Sequence, residues 1–254
     1  MSYFDKQSPV TDFYLEVAAG NVTGKASVNK FGENKSSAAG VTEEIWDGSV
    51  AYTYPATADM THISQAVDQA ALRGATIEVQ GVASGYVLVT QDAALDATLT
   101  TNPVALTTPL LRVFRMKVKA NVVGASDISL KNVGGTTTYA IISAGYNQTL
   151  MALYTVPAGK TAYVTGYYGD VLEDPVATKD PDATEYALWV ADRANGYEFQ
   201  IKHEHGTPKG AGGIHHMFKP YLKVTEKSDI KLTSECSGKA GHVHGGFDLI
   251  LVDN

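Results

Sequence analysis

The amino-acid sequence predicts an all-β protein with two β-sandwich or jelly-roll-like domains, an extended N-terminal arm and at most one short helix. Three observations predict this class. Short runs of alternating apolar and polar residues recur between turn clusters through residues 137–254, as in a sandwich. Residues 1–45 are rich in Gly, Ser, Asn and Lys, a composition typical of an arm or loop. Hydrophobic residues make up 44% of the chain, so a packed core can form.

We interpret residues 1–45 as an extended arm that lies on a neighbouring subunit, with a disordered tail as the alternative. The segment contains aromatic residues, among them Phe13, Tyr14 and Phe31. They favour the arm because a purely solvating tail has no need of them. Together with Trp46, which follows directly, they are the predicted interface residues.

Residues 46–136 form the predicted first β domain. Its predicted strands are Val50–Tyr54, Ala75–Gln80, Tyr86–Thr90 and Leu111–Val118. In the second of these, Ile77 and Val79 share one face and polar residues share the other, the pattern of a half-buried strand. The one predicted helix is Ile63–Arg73, where a weak apolar stripe ends at Gly74.

Residues 137–254 form the predicted C-terminal sandwich, which we expect to be jelly-roll-like. Its predicted strands are Thr138–Ser143, Thr149–Val156, Thr161–Tyr168, Glu185–Val190, Tyr197–His203, His215–Pro220, Asp229–Glu235 and Phe247–Val252. The turn Pro157–Lys160 predicts a hairpin between Thr149–Val156 and Thr161–Tyr168, because Pro presets φ and Gly accepts positive φ.

Charge and cysteine content narrow the classes of partner. The net charge is −7 and the pI is near 5.5, which argues against nucleic acid and anionic membranes because both attract clustered Lys and Arg. The single cysteine, Cys236, excludes an intrachain disulfide and fits assembly in a cytoplasm. The N-terminus lacks a signal-peptide pattern, and no apolar run approaches the ~18 residues of a membrane span. We therefore expect neither a nucleic-acid nor a membrane partner.

Histidine is the one unusual residue type. Six of the seven histidines lie in the last third of the chain, and they include the pairs His203 with His205 and His242 with His244. Residues i and i+2 of a strand point to the same face, so each pair can offer two imidazoles to one metal ion. These four residues are the candidate metal ligands. Three interpretations stay open: polar residues at surfaces or interfaces, a structural or axial metal, and a catalytic metal whose ligand order departs from the cupin pattern.

Signatures of catalysis are absent from the sequence, which has no G-x-S-x-G elbow and no complete phosphate-binding loop. The tripeptide Gly159-Lys160-Thr161 lacks the upstream glycine that such a loop requires, and predicted strands flank it. Cys236 has no catalytic signature around it. The sequence therefore predicts a non-enzymatic protein without a cofactor, apart from a structural metal ion at the histidines.

Several segments together resemble a family of uncharacterised virion structural proteins of tailed bacteriophages, which are β-rich and associated with the head or neck. The matching stretches are Asp12–Val17, Glu43–Gly48, Leu111–Lys117, Gln148–Thr161, Leu222–Ile230 and Gly246–Asn254. They cover both ends and the middle of the chain, and none of them encodes a chemical step. The resemblance implies a structural role in the particle, homo-oligomerisation and no catalytic residues.

The resemblance does not decide which part of the virion is involved, and the interpretation we favour is a capsid decoration or cement protein, or a neck or collar component, located in the virion after assembly in the host cytoplasm. Its expected partners are the major capsid protein, neck or tail proteins and further copies of itself. The alternative is a tail or fibre protein that binds host-surface glycans, with Tyr163, Tyr167 and Tyr168 as a binding platform. A third interpretation is a jelly-roll metalloenzyme that uses the histidines.

Overall fold

A computed structural model describes residues 12–48, 50–120, 122–172 and 180–254 of the chain. Strands make up 56% of the chain and pair in several antiparallel sheets, so the all-β prediction is confirmed. The described residues contain one short α-helix, α1 (Phe13–Ala18), which the side chain of Asp12 caps by accepting from the Tyr14 N–H at 2.9 Å. The first part of the predicted arm, residues 1–11, lies outside the described residues.

The described strands divide between the two halves of the chain. The first half contains β1 (Lys25–Ser37), β2 (Glu43–Glu44), β3 (Met60–Gln65), β4 (Thr76–Val82), β5 (Leu88–Ala94), β6 (Val104–Leu110), β7 (Arg112–Val118), β8 (Ile128–Lys131) and β9 (Thr138–Ile142). The second half contains β10 (Leu153–Thr155), β11 (Lys160–Leu172), β12 (Ala183–Ala191), β13 (Phe199–Pro208), β14 (Ile214–Val224), β15 (Asp229–Ser237) and β16 (Gly241–Asp253).

Two of the sheets form what we call the major unit. One sheet has the order β1-β16-β11-β14, and the other has the order β10-β15-β12-β13 with β2 added at β15. Both sheets contribute to one hydrophobic cluster, in which Tyr167, Tyr186 and Phe247 are fully buried. Burial of these large side chains in one shared core stabilises the packing of the two sheets.

The other two sheets form the minor unit, with the orders β6-β3-β8-β9 and β5-β4-β7. Met60, Ile77, Leu110 and Met116 are fully buried in its separate hydrophobic cluster. The predicted strands Ala75–Gln80 and Tyr86–Thr90 overlap β4 and β5, which pair with each other in an antiparallel arrangement. Strand β9 pairs with β8, so the predicted boundary at 136/137 falls inside this hairpin.

Strand β1 differs from the extended arm that the sequence predicts for residues 1–45. It pairs with β16 of the same chain, from Lys25 opposite Val252 to Ser37 opposite Gly241. The composition of this segment does not indicate a strand, because several of its most buried side chains are polar. They are Lys30, Glu33, Asn34 and Ser37. The apolar alternation that marks a half-buried strand is therefore missing.

The predicted helix Ile63–Arg73 is wrong. Its first residues belong to β3, and Ala70–Leu72 form a single 3₁₀ turn. Strand β3 pairs with β6 on one side and β8 on the other, which buries Ile63 completely and leaves Gln65 only 3% exposed. Tertiary pairing overrides the weak helical stripe of alanines.

The predicted strand Val50–Tyr54 is also wrong, because this segment follows an irregular path. The Tyr52 ring packs edge-on against the Trp46 ring at 5.2 Å between ring centroids. The Tyr52 N–H donates to the Glu44 carboxylate at 3.0 Å rather than to a neighbouring strand. The Glu44 side chain thus accepts the hydrogen bond that a neighbouring strand would otherwise accept from this backbone N–H.

The predicted hairpin around Pro157–Lys160 is wrong, because the two strands that flank this turn do not pair with each other. Strand β10 pairs with β15, whereas β11 pairs with β14 and β16 of the facing sheet. The turn therefore carries the chain from one sheet of the major unit to the other. The strands after it, β12 to β16, overlap the strands that the sequence predicts there.

No helix among the described residues is long and apolar enough to cross a membrane.

A buried ion pair joins the two units. Arg112 of β7 and Asp229 of β15 lie 3.0 Å apart, and their side chains are 5% and 1% exposed. The Tyr197 hydroxyl accepts from Arg112 at 2.8 Å and donates to Asp229. The Thr155 hydroxyl donates to the other carboxylate oxygen of Asp229. The charges are thus fully hydrogen-bonded, as buried charges require.

Candidate metal centre

His242 and His244 lie on one face of β16, as their spacing predicts. Val243 between them points into the hydrophobic cluster of the major unit. On the neighbouring strand β1, Glu33 stands directly opposite His244 in the register. Strand pairing therefore brings a carboxylate to the two imidazoles.

The ligand atoms of these three residues all lie within 4.8 Å of one another. The Nε2 atom of His242 is 2.6 Å from Oε1 of Glu33, and the Nε2 atom of His244 is 3.3 Å from the same oxygen. The Glu33 side chain is 2% exposed, whereas the two imidazoles are 27% and 35% exposed. We call Glu33, His242 and His244 the histidine–carboxylate group.

Charged neighbours surround this group. Asp170 of β11 stands opposite His244 on its other side, with Oδ1 3.7 Å from Nδ1. The Nζ atom of Lys35 is 3.8 Å from Oε2 of Glu33. The Tyr146 hydroxyl lies 3.5 Å from Oε1 of Glu33, in the loop that covers the carboxylate. The other oxygen of Glu33, Oε2, is buried and has no hydrogen-bond partner.

The protonation of the carboxylates follows from these contacts. Burial favours the neutral form of Glu33, but hydrogen bonds from His242 and His244 and the charge of Lys35 outweigh it, so the pKa of Glu33 is lowered. Nearby, burial raises the pKa of Asp47 to about 7, and the Glu33 carboxylate adds to this increase. Glu33 therefore ionises more readily than Asp47.

Two imidazoles and one carboxylate are a ligand set that binds zinc and related transition metals. The same atoms also form a histidine–carboxylate ion pair when the imidazoles are protonated. The sequence identifies His242 and His244 by their spacing, but it misses Glu33. Glu33 lies 209 residues before His242, inside the segment interpreted as an arm, so no local motif connects them.

The other predicted pair, His203 and His205, lies on β13 and does not join this group. His203 stacks on His216 of β14 with 3.6 Å between ring centroids, and its Nδ1 is 2.7 Å from the hydroxyl of Tyr167. His205 is exposed. In the part of the chain that the structure describes, the histidine–carboxylate group is the only cluster of three such ligands.

The four predicted interface residues have different environments. Phe13 and Tyr14 lie on α1 and are 45% and 43% exposed. Phe31 on β1 is half-buried. Trp46 is only 2% exposed and belongs to the cluster of the minor unit, so within one chain it serves the core and presents no surface to a partner.

The fold and the histidine–carboxylate group define the chain as an all-β protein with a candidate metal centre. No protein-family model matches the chain, and no curated protein sequence matches it.

Proposed function

We propose that the chain is a non-enzymatic structural component of a tailed-phage virion, acting as a capsid decoration or cement protein or as a neck or collar protein. In this proposal the major unit is a jelly-roll-like sandwich and the minor unit is a second sandwich domain. The chain works as a homo-oligomeric building block that contacts capsid, neck or tail proteins. The proposal rests on the sequence resemblance and on where the resembling segments lie in the fold.

Four of the resembling segments converge on the junction between the two units, although they are far apart in the sequence, and this observation carries the proposal. Arg112 belongs to Leu111–Lys117, Thr155 to Gln148–Thr161, and Asp229 to Leu222–Ile230. All three side chains take part in one buried hydrogen-bond network. The fourth segment contributes Glu44 and Trp46, which are both buried, and Glu44 forms an ion pair with Lys231 of β15.

Further contacts fix the same junction. The Glu44 carboxylate on β2 lies 2.7 Å from Nζ of Lys231 on β15, and its other oxygen accepts from the Tyr52 N–H. The buried ammonium group of Lys30 on β1 donates to the Phe114 carbonyl on β7. The resembling segments therefore meet in a buried joint between the two units, and this shared position supports a structural role for them.

The exposed apolar surface beside α1 supports assembly. Phe13, Tyr14 and Leu15 are exposed, and the Tyr14 ring lies 6.3 Å from the Tyr221 ring on β14. A groove of about 440 Å³ runs between α1 and the outer face of the β1 sheet, with Met217 among its lining residues. Exposed apolar patches of this kind mark protein contacts. We propose that this surface contacts the capsid or neck protein.

The glycan-binding alternative needs an exposed aromatic platform. Tyr167 is fully buried, and Tyr163 and Tyr168 are half-buried within β11. These tyrosines therefore pack between strands, and they do not favour glycan binding over the structural role.

The test is to purify particles of the phage that encodes the chain, to count its copies by quantitative mass spectrometry and to locate its density by electron cryomicroscopy. We expect a fixed copy number and density on the head surface or at the neck. Absence from the purified particles overturns the proposal. Density at the tail tip or in a fibre replaces it with the host-binding alternative.

A further inference from the structure

We propose that Glu33, His242 and His244 bind one divalent metal ion of the zinc class, and that the ion fastens the edge strand β1 to β16. The site depends only on the geometry of the major unit and is therefore independent of the proposed function. Its ligands come from strands near opposite ends of the chain.

One oxygen of Glu33 lacks a hydrogen-bond partner. Both imidazole Nε2 atoms approach Oε1, while Oε2 is buried without a hydrogen bond. The large majority of buried side-chain polar atoms in folded proteins have a hydrogen-bond partner, so an oxygen without one, next to two imidazole nitrogens, favours a site for a cation. Lys35 lies near Oε2, but at 3.8 Å it is beyond hydrogen-bond distance.

The spacing of the ligand atoms suits a metal ion. In a tetrahedral zinc site with bonds of about 2.0–2.1 Å, neighbouring ligand atoms are about 3.3 Å apart. The Nε2 atom of His244 is 3.3 Å from Oε1 of Glu33, and the Nε2 atom of His242 is 2.6 Å from it. All three ligand atoms lie within 4.8 Å of one another, so small rotations of the side chains bring them to the spacing of a zinc site. The two partly exposed imidazoles leave an entry path from solvent.

Asp170 supports the site from the far side of His244. Its Oδ1 atom lies 3.7 Å from Nδ1 of His244, on the side of the ring away from Glu33. A small rotation of the exposed Asp170 side chain makes this contact a hydrogen bond. Metal-ligating histidines usually donate their second ring N–H to a carboxylate, which fixes the tautomer and strengthens the ligand. Asp170 is thus a positioning residue for His244.

The ligand types select the metal. Imidazole nitrogens with one carboxylate favour zinc, cobalt, nickel or ferrous iron over magnesium and calcium, which prefer all-oxygen sites. Three protein ligands leave one coordination position for water or for a group from a neighbouring molecule. Since the bound ion bridges β1 and β16, it holds the outer strand of the sheet in register.

The first experiment uses the unaltered full-length protein, stripped of metal with a chelator and titrated with Zn²⁺ alone. We expect one ion per chain by calorimetry, a rise in Tm, and shifts of two imidazole Nε2 resonances among the seven histidines. Titration with Co²⁺ is expected to give the visible absorption of a four-coordinate site. No stoichiometric binding of either ion overturns the proposal, and this result does not depend on how any variant folds.

The second experiment assigns the site. We expect the double variant His242→Asn with His244→Asn to abolish binding, and Asp170→Asn to weaken it by about 10- to 100-fold. The matched control is His203→Asn with His205→Asn, which removes the other H-x-H pair and is expected to leave the affinity unchanged. Binding that survives loss of His242 and His244, or that disappears in the control, overturns the assignment.

Discussion

Arg112 of the minor unit and Asp229 of the major unit neutralise each other in a site that excludes water. Their charged atoms are 3.0 Å apart, and neither side chain is more than 5% exposed. Burial alone lowers the pKa of Arg112, but Asp229 and Tyr197 together raise it above its ordinary value. The pair is therefore ionised, and its energetic effect is largest when one partner is lost.

The substitution Arg112→Met is expected to lower the free energy of unfolding by about 3–5 kcal/mol, because it leaves the Asp229 carboxylate buried without its counter-charge. Urea unfolding followed by circular dichroism measures this change. The matched control is Arg73→Met, since Arg73 forms an exposed ion pair with Asp68. The control is expected to have a much smaller effect. Equal effects of the two substitutions would contradict a dominant buried pair.

The substitution Lys30→Met is expected to change how stability depends on pH. Burial, with a contribution from the charge of Arg115, lowers the pKa of Lys30 from 10.5 to about 7. Between these values the unfolded chain binds more protons than the folded chain, so stability rises with pH, by at most about 1.4 kcal/mol per pH unit. Below pH of about 7 this dependence ends, because both states are protonated.

Lys30→Met is expected to remove this increase in stability and to raise stability near neutral pH. Denaturant unfolding at several pH values between about 7 and about 10 measures it. Lys119→Met is the control, because the contact of Lys119 with Asp92 raises the pKa of that lysine and gives a dependence of opposite sign. If the slope of stability against pH is unchanged in the Lys30 variant, the buried ammonium group is not the source of that slope.

The sequence predicts the strands of the major unit best where apolar and polar residues alternate. Strand β16 is an example, since Phe247, Leu249 and Leu251 face the core and were predicted within one strand. Periodicity cannot predict which strands pair with each other, and only the register of the folded chain shows the pairs. The turn at Pro157–Lys160 joins facing sheets, because β10 and β11 find their partners elsewhere in the chain. Alternation identifies a strand but not its neighbour.

Strand β1 and Glu33 show a second limit of sequence-based prediction. Glu33 is 2% exposed, yet it is charged and lies in a segment rich in Gly, Asn and Ser. Nothing local indicates its burial, which depends on His242 and His244, 209 and 211 residues away. The histidine spacing predicts two of the three candidate ligands, and the fold supplies the third.

The stacked pair His203 and His216 is expected to destabilise the fold in acid. Burial lowers the pKa of His216, and the charges of His203, His205 and His215 lower it further. Below the unfolded-state pKa of 6.5 the unfolded chain binds the additional proton, so stability falls as the pH falls towards the lowered value. The His216 ring stacks on the His203 ring with 3.6 Å between the centroids, so a charge on His216 arises directly beside a second imidazole.

Two variants of His216 separate charge from stacking. His216→Phe and His216→Gln both remove the charge, so both are expected to reduce the loss of stability between pH of about 7 and about 5. Only His216→Gln also removes the contact between the two rings. This variant is therefore expected to be less stable than the unaltered protein at neutral pH. Thermal unfolding across this range measures both effects. An acid dependence that is the same as in the unaltered protein would place its origin elsewhere.

The exposed aromatic residues of α1 provide the last prediction, which tests the proposed assembly surface. The double variant Phe13→Ser with Tyr14→Ser is expected to leave Tm nearly unchanged, because both side chains are more than 40% exposed. Its affinity for the particle, and with it the occupancy, is expected to fall by about 30-fold, since loss of two aromatic contacts of about 1 kcal/mol each weakens an interface by about 2 kcal/mol. Quantitative mass spectrometry of particles that carry the variant measures it. Val133→Ser, at a residue that is 77% exposed in the β8–β9 turn, controls for loss of surface apolar area. Normal occupancy of the α1 variant would show that this surface does not make the contact.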